Sequence, residues 1–139
     1  MKNMFRILIG AVLLTMTIAS LGMKNPGSNY IIKDAPEKYK ACIDACNACI
    51  ASCKKVEAMC MKENKATMAD MKKSCHECVE SCKEAIKAMK ADSPDVKSKC
   101  MECASRCNNC ATQCDKFDMP ECKTCATDCR TAAKACTDM

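Results

Sequence analysis

Leucine is missing from most of this chain. Leu8, Leu13, Leu14 and Leu21 are the whole supply, and none follows Leu21. Tryptophan is absent, and Phe and Tyr together make up 3% of the residues. Beyond Leu21 the branched aliphatics are Ile31, Ile32, Ile43, Ile50, Val56, Val79, Ile86 and Val96, and the aromatics are Tyr30, Tyr39 and Phe117. That is too little for a core packed in the usual way from Leu, Ile, Val and Phe. Zinc-finger spacing is absent, and histidine occurs once, as His76. The net charge is +5, but the signs are interspersed. No basic run and no interleaved aromatics suggest nucleic acid.

What fills the gap is cysteine, at 17 of 139 residues. Such a content marks a disulfide or metal scaffold. The stretch ACIDACNACIASC, Ala41 to Cys53, shows the pattern, with Cys42, Cys46, Cys49 and Cys53 three or four residues apart. If the chain folds, cysteine must occupy its inside.

The N-terminus reads differently. Lys2 and Arg6 precede an apolar run from Ile7 to Ala19, followed by small residues. This is the layout of a secretory signal, and the run is short for a membrane span of ~20 residues. We therefore expect residues 1–22 to be a signal peptide, or a short membrane anchor if uncleaved. The protein would then be exported to the periplasm or the cell exterior. No Arg pair precedes the run and no Cys follows it directly, so neither a twin-arginine nor a lipoprotein signal is indicated. Residues 23–35 read as a linker, with the turn cluster Asn25-Pro26-Gly27-Ser28-Asn29.

From residue 36 to 139 the punctuation predicts an all-α, antiparallel four-helix bundle. Pro36, Pro94 and Pro120 fall where helices should begin, since proline lacks only an N–H that would be unpaired there. Ser93 is the expected N-cap before Pro94, and Thr67 with Asp70 reads as a capping-box variant. The predicted segments are 36–62, 67–91, 94–116 and 119–137. Their interiors hold Ala, Lys, Glu and Met and no glycine. Short connections predict antiparallel neighbours.

The cysteines fall into stripes on this frame. The first segment carries Cys42, Cys46, Cys49, Cys53 and Cys60; the second Cys75, Cys78 and Cys82. The third carries Cys100, Cys103, Cys107, Cys110 and Cys114, and the fourth Cys122, Cys125, Cys129 and Cys136. Gaps of three, four and seven keep each set on one helix face. CxxCxxxC begins at Cys46, Cys75, Cys100, Cys107 and Cys122. Val56 fills the gap between Cys53 and Cys60. Met68, Met71, Ile86 and Met89 extend the second stripe, and Val96 and Phe117 bracket the third. The thiols thus occupy the a/d seam, giving a Cys-lined core.

Thiols used only as packing would make a weak core of small side chains. A disulfide-stapled exported scaffold is an alternative. Against it, residues three or four apart on one regular helix suit a disulfide poorly, and the count of 17 is odd. Metal fits better. Each Zn²⁺ held by four thiolates would leave a net charge of −2, and several such sites buried together would be costly. Cu(I) with one thiolate is neutral, and this soft ion prefers thiolate and thioether. CxxC and CxxxC offer sulfur pairs from adjacent turns, so multiple Cu(I) ions per chain can follow one another along the seam. General thiol-rich sequestration of Zn²⁺ or Cd²⁺, or reaction with oxidant, is the alternative. The iron–sulfur spacing C-x₂-C-x₂-C-x₃-C-P is absent, and no Cys/His/Asn set or open-site ligand set supports an enzyme.

These five CxxCxxxC units on four Cys-faced segments behind an export signal resemble the bacterial copper storage proteins. The resemblance covers Pro36 to Cys136. It implies a four-helix bundle, high-capacity Cu(I) storage or sequestration on pairs of all seventeen cysteines named above, and assembly into homo-tetramers. No motif identifies a copper donor or acceptor protein. Met68, Met71 and Met119 should share one end of the bundle near Cys60 and Cys114. They are candidate uptake ligands, because thioethers bind Cu(I) more weakly than thiolates, or simply core filling. Met59 and Met61, near that end, read rather as filling. Met89, Met101 and Met139 should gather at the other end. His76 lies off the Cys stripe and reads as a surface residue.

Overall fold

The computed structural model describes residues 34–139. The expected signal segment, 1–22, and the linker up to residue 33 lie outside the described residues. Four helices follow in chain order: α1 Lys40–Glu63, α2 Ala69–Lys90, α3 Val96–Cys114 and α4 Pro120–Thr137. Single 3-10 turns, Glu37–Tyr39 and Ala66–Met68, lead into α1 and α2. No strand occurs among the described residues, and no helix there is long and apolar enough to cross a membrane. The expected all-α bundle is what forms.

Each helix packs against its neighbours in the chain, and α1 also packs against α4. The bundle is therefore a closed ring of antiparallel neighbours, with α1 facing α3 and α2 facing α4 across the axis.

The helix starts differ in detail from the predicted ones. Pro120 does stand in the first turn of α4, after the extended Met119. Pro36 is extended and opens a 3-10 turn instead, so α1 proper begins at Lys40. Pro94 sits in the turn ahead of α3. Ser93 is not the cap of α3, which is Asp95 without a side-chain capping bond. The Ser93 hydroxyl instead donates to the Asp95 carboxylate, and its carbonyl accepts from Val96 N–H at 3.1 Å. Thr67 likewise makes no capping bond, because it lies inside the 3-10 turn and Met68 occupies the N-cap of α2. Asp70 remains in the first turn, where its charge complements the helix dipole.

With no glycine available, two polar residues take the left-handed corners. Asn64 ends α1 at φ 46°, ψ 38°, and its N–H bonds the Cys60 carbonyl at 3.0 Å. Asn accepts this conformation better than most residues other than Gly. Asp92, also at φ 46°, turns the chain between α2 and α3. Its carboxylate receives Tyr39 Oη at 3.0 Å and Lys38 Nζ at 2.9 Å, which ties this turn to the start of α1.

The core is the predicted seam. All seventeen cysteines are buried. Val56, Met71 and Met89 are buried at its margins, with Ile43, Ile86, Val79 and Val96 near full burial. Phe117 packs partly against it. Alanine contributes more than the Cys stripes alone suggest: Ala85, Ala104, Ala111, Ala126, Ala132 and Ala133 are buried between the helices. Their small side chains let the backbones approach. Two hydroxyls are buried and satisfied, with Ser52 donating to the Cys49 carbonyl at 3.1 Å and Ser74 accepting from Asn109 at 3.2 Å. Outside, Arg106–Glu77 at 2.8 Å links α3 to α2, one of several exposed pairs worth little each.

Candidate metal centre

The i, i+3, i+4 spacing turns every cysteine inward, so four stripes converge on one axis. The shortest sulfur contacts run between helices. Cys42 and Cys136 are 3.3 Å apart, Cys49 and Cys129 3.4 Å, and Cys82 and Cys103 3.4 Å. Cys49–Cys78, Cys53–Cys125, Cys75–Cys110 and Cys78–Cys107 are each 3.5 Å. Sulfurs also meet across the diagonals, as in Cys53–Cys110 at 3.7 Å and Cys78–Cys129 at 4.0 Å. Within a helix, sulfurs come within hydrogen-bonding reach for the four-apart pairs Cys103–Cys107 (3.8 Å) and Cys125–Cys129 (3.9 Å). All these separations exceed the S–S bond of about 2.05 Å, and the cysteines are free thiols.

The sulfurs fall into overlapping groups in which every atom lies within 4.8 Å of the others. Cys49, Cys78, Cys82 and Cys107 form one quartet; Cys49, Cys53, Cys78 and Cys129 a second; Cys53, Cys75, Cys110 and Cys125 a third. Cys46, Cys82 and Cys103 form a trio, and Cys42, Cys100 and Cys136 another at the end where α1 begins. Three of the predicted ligands stand outside these groups: Cys60, Cys114 and Cys122. Cys122 is paired with a thioether instead, its Sγ donating to Met71 Sδ at 3.5 Å.

The predicted thioethers divide. Met71 is buried in the core beside Cys122. Met68 is nearly buried but lines a cavity of about 570 Å³ with Cys60, Met61, Asn64, Lys65 and Lys72. Met119 is half-buried against the core at the start of α4. Met59 packs on the core and Met61 is exposed. His76 is on the surface, 3.3 Å from the Glu57 carboxylate and away from every thiol group.

Burial sets the proton affinity of the outlying thiols. It pushes Cys60 up, and raises Cys100 and Cys122 to about 11. In the packed centre, neighbouring sulfurs share protons. Hydrogen bonding with Cys107 is the main influence holding Cys49 and Cys78 low, while bonding with Cys103 is the main one holding Cys107 high. A core of bare thiolates would be prohibitively costly, so the empty bundle keeps most of its protons. Monovalent cations can replace them one for one without building up charge.

One consequence is an alkaline limit on the metal-free protein. A thiol whose folded pKa lies above the unfolded value stabilises the fold fully below the unfolded value. That contribution is lost as pH rises through the folded one. For Cys100 and Cys122 the window runs from 9.0 to about 11. The denaturant midpoint of the reduced apo protein should fall across that window. A midpoint that stayed flat there would contradict the burial of these thiols.

Four helices that turn a continuous column of thiols onto their common axis define a soft-metal storage bundle. The chain belongs to the copper storage protein family, whose sequence model matches residues 35–139. Among solved structures it is similar to Cu(I)-bound copper storage protein BsCsp3, with 36% identity over 74% of this chain and 98% of that one, at a TM-score of 0.71. Apo-Csp3, copper storage protein 3 from Bacillus subtilis, shares 35% identity over 72% of this chain and 96% of that one, at a TM-score of 0.67. No curated protein sequence matches the chain significantly.

Proposed function

We propose that this bundle stores Cu(I) as cargo, many ions per chain, on the thiolates of its axis. The observation that carries the reading is the overlap of the thiol groups. Cys49, Cys53, Cys78 and Cys82 each belong to two groups, so neighbouring ions share ligands along one column. Cu(I) is content with two or three sulfurs, which suits such sharing, whereas Zn²⁺ wants four to itself. The Cu(I)-bound relative supports the choice of metal. All seventeen cysteines are assigned as ligands. Cys60 and Cys122 work with Met68 and Met71 as a weaker-binding end where ions are taken up, with Met119 beside them. Storage, not catalysis, is the role.

The basic start and apolar run within residues 1–22 support export as part of the proposal, with the bundle from 36 to 139 held outside the cytoplasm, or at the membrane if that segment is uncleaved. Association of bundles into tetramers belongs to the proposal as the family resemblance suggests it.

X-ray absorption at the copper edge of the loaded protein tests the ligand assignment. A shell of sulfur alone is expected. A substantial nitrogen or oxygen shell would overturn it, since His76 is the only imidazole and lies outside the column.

A further inference from the structure

Two exposed thioethers remain unused at the end of the bundle away from Cys60. Met101 is 53% exposed and Met139 44%, against an interior that hides nearly every other large apolar side chain. Single exposed apolar residues need no explanation. These two, however, line the same cavity of about 260 Å³, together with Tyr39, Val96 and Cys136. Cys136 is 3% exposed, so the cavity reaches to the edge of the thiol column. Its Sγ lies 3.3 Å from Cys42 and 3.7 Å from Cys46, and with Cys42 and Cys100 it forms the terminal trio.

The donor set repeats that of the other end, where exposed Met61 and near-buried Cys60 line one cavity with Met68. Thioether suits such a place chemically. It is a soft, neutral ligand that carries no proton, so it binds Cu(I) without first being deprotonated. An exposed thiol in its position would be open to oxidation.

We propose that Met101, Met139 and Cys136 form a second copper port, so that the column loads from both ends. The inference rests on the storage reading above. Cu(I) arrives on an exchangeable carrier ligand. Bonds to the thioether sulfurs form as the carrier ligand leaves. A Cu–S bond to Cys136 then forms as its thiol proton passes to water, and the thioether bonds break. Copper stays univalent throughout. From Cys136 the ion passes to Cys42 or Cys100 as that thiol's proton moves to the sulfur left behind.

The test is the initial rate of Cu(I) transfer from a coloured Cu(I) chelator to the reduced full chain, without oxygen, in three variants. These are M101L/M139L, M61L/M68L and the combination of all four; Leu keeps the volume and removes the sulfur. With ports of similar conductance, each double variant should be slower by about twofold and the combination by about tenfold, at unchanged final capacity. If M101L/M139L loads at the wild-type rate while M61L/M68L carries the whole loss, the second port is refuted. If the wild type itself stops at a few ions, the storage reading fails as well, which separates the two. A second measurement does not depend on any variant folding. In methyl-labelled wild type given substoichiometric Ag(I), a redox-inert soft cation, the Met101 and Met139 methyl signals should shift before that of Met89. Met89 is fully buried and serves as the internal control. Met101 and Met139 signals that stay put while the column fills would also overturn the port.

Discussion

Titrated with Cu(I) under reducing, oxygen-free conditions against a competing chelator, the protein should bind well above about ten ions per chain. The number follows from how the sulfurs are arranged. If each ion claimed a private set of four thiols, 17 cysteines would fill at about four ions. The groups here are not private. Cys49 belongs both to the quartet with Cys107 and to the one with Cys129, and Cys53 links the latter to the group of Cys75, Cys110 and Cys125. Sharing of this kind lets the ion count approach the thiol count, and charge balance points the same way. One Cu⁺ per thiolate leaves the core neutral, which an interior closed to water requires. Saturation at four or fewer ions would mean tetrathiolate sites and would end the copper-storage reading. Zn²⁺ offered alone should show that low plateau.

Copper should also raise the melting temperature steeply, and in proportion to loading. The empty bundle has little to hold it, because cysteine and alanine occupy positions where leucine usually sits. Its helices lean on their own propensity, which leaves short helices marginal in water. A ligand bound only by the folded state adds RT ln(1 + [L]/Kd), about 2.7 kcal/mol for one site at ~100 times its Kd. In a domain near this size each kcal/mol moves Tm by about 4 to 8 °C. A few filled sites therefore suffice for a shift of tens of degrees, reduced by whatever the unfolded thiols bind. Single substitutions Cys49→Ala, Cys78→Ala, Cys107→Ala and Cys125→Ala separate the two roles of sulfur. Each removes a fully buried Sγ from the column. Capacity should fall by about one or two ions per substitution. Apo stability should change by no more than about 1–2 kcal/mol, since Ala leaves a small cavity and is the better helix former. Calorimetry and copper counting on the same samples decide the matter. Apo proteins that collapse on these substitutions would show that thiols hold the fold without metal.

The stripe itself was legible in the sequence because the three/four period is a property of one helix. Val56 could be placed between Cys53 and Cys60 from spacing alone, and it is indeed buried. Partners across helices could not be read in this way. Cys42 meets Cys136 across 94 positions of chain, a pairing set by the relative register of α1 and α4. Local signals failed where turns are tightest. Ser93 and Thr67 have the right chemistry for capping, but one is held in a turn by Asp95 and the other lies within a 3-10 turn. The left-handed corners at Asn64 and Asp92 carry no glycine to announce them. Met68 and Met71 look alike in sequence, and only packing separates a cavity wall from a partner of Cys122.

The shared sulfurs also bear on the order in which ions come and go. Because adjacent groups hold Cys49, Cys53, Cys78 or Cys82 in common, an ion can shift along the axis by gaining one ligand before it releases another. It need never be bare, and no helix has to separate. Movement then runs from group to group along the axis. An ion in the middle, among Cys49, Cys78 and Cys129, has to cross the end groups before it can leave. Ions at the centre should therefore turn over more slowly than those at the two ends, which exchange directly with their surroundings.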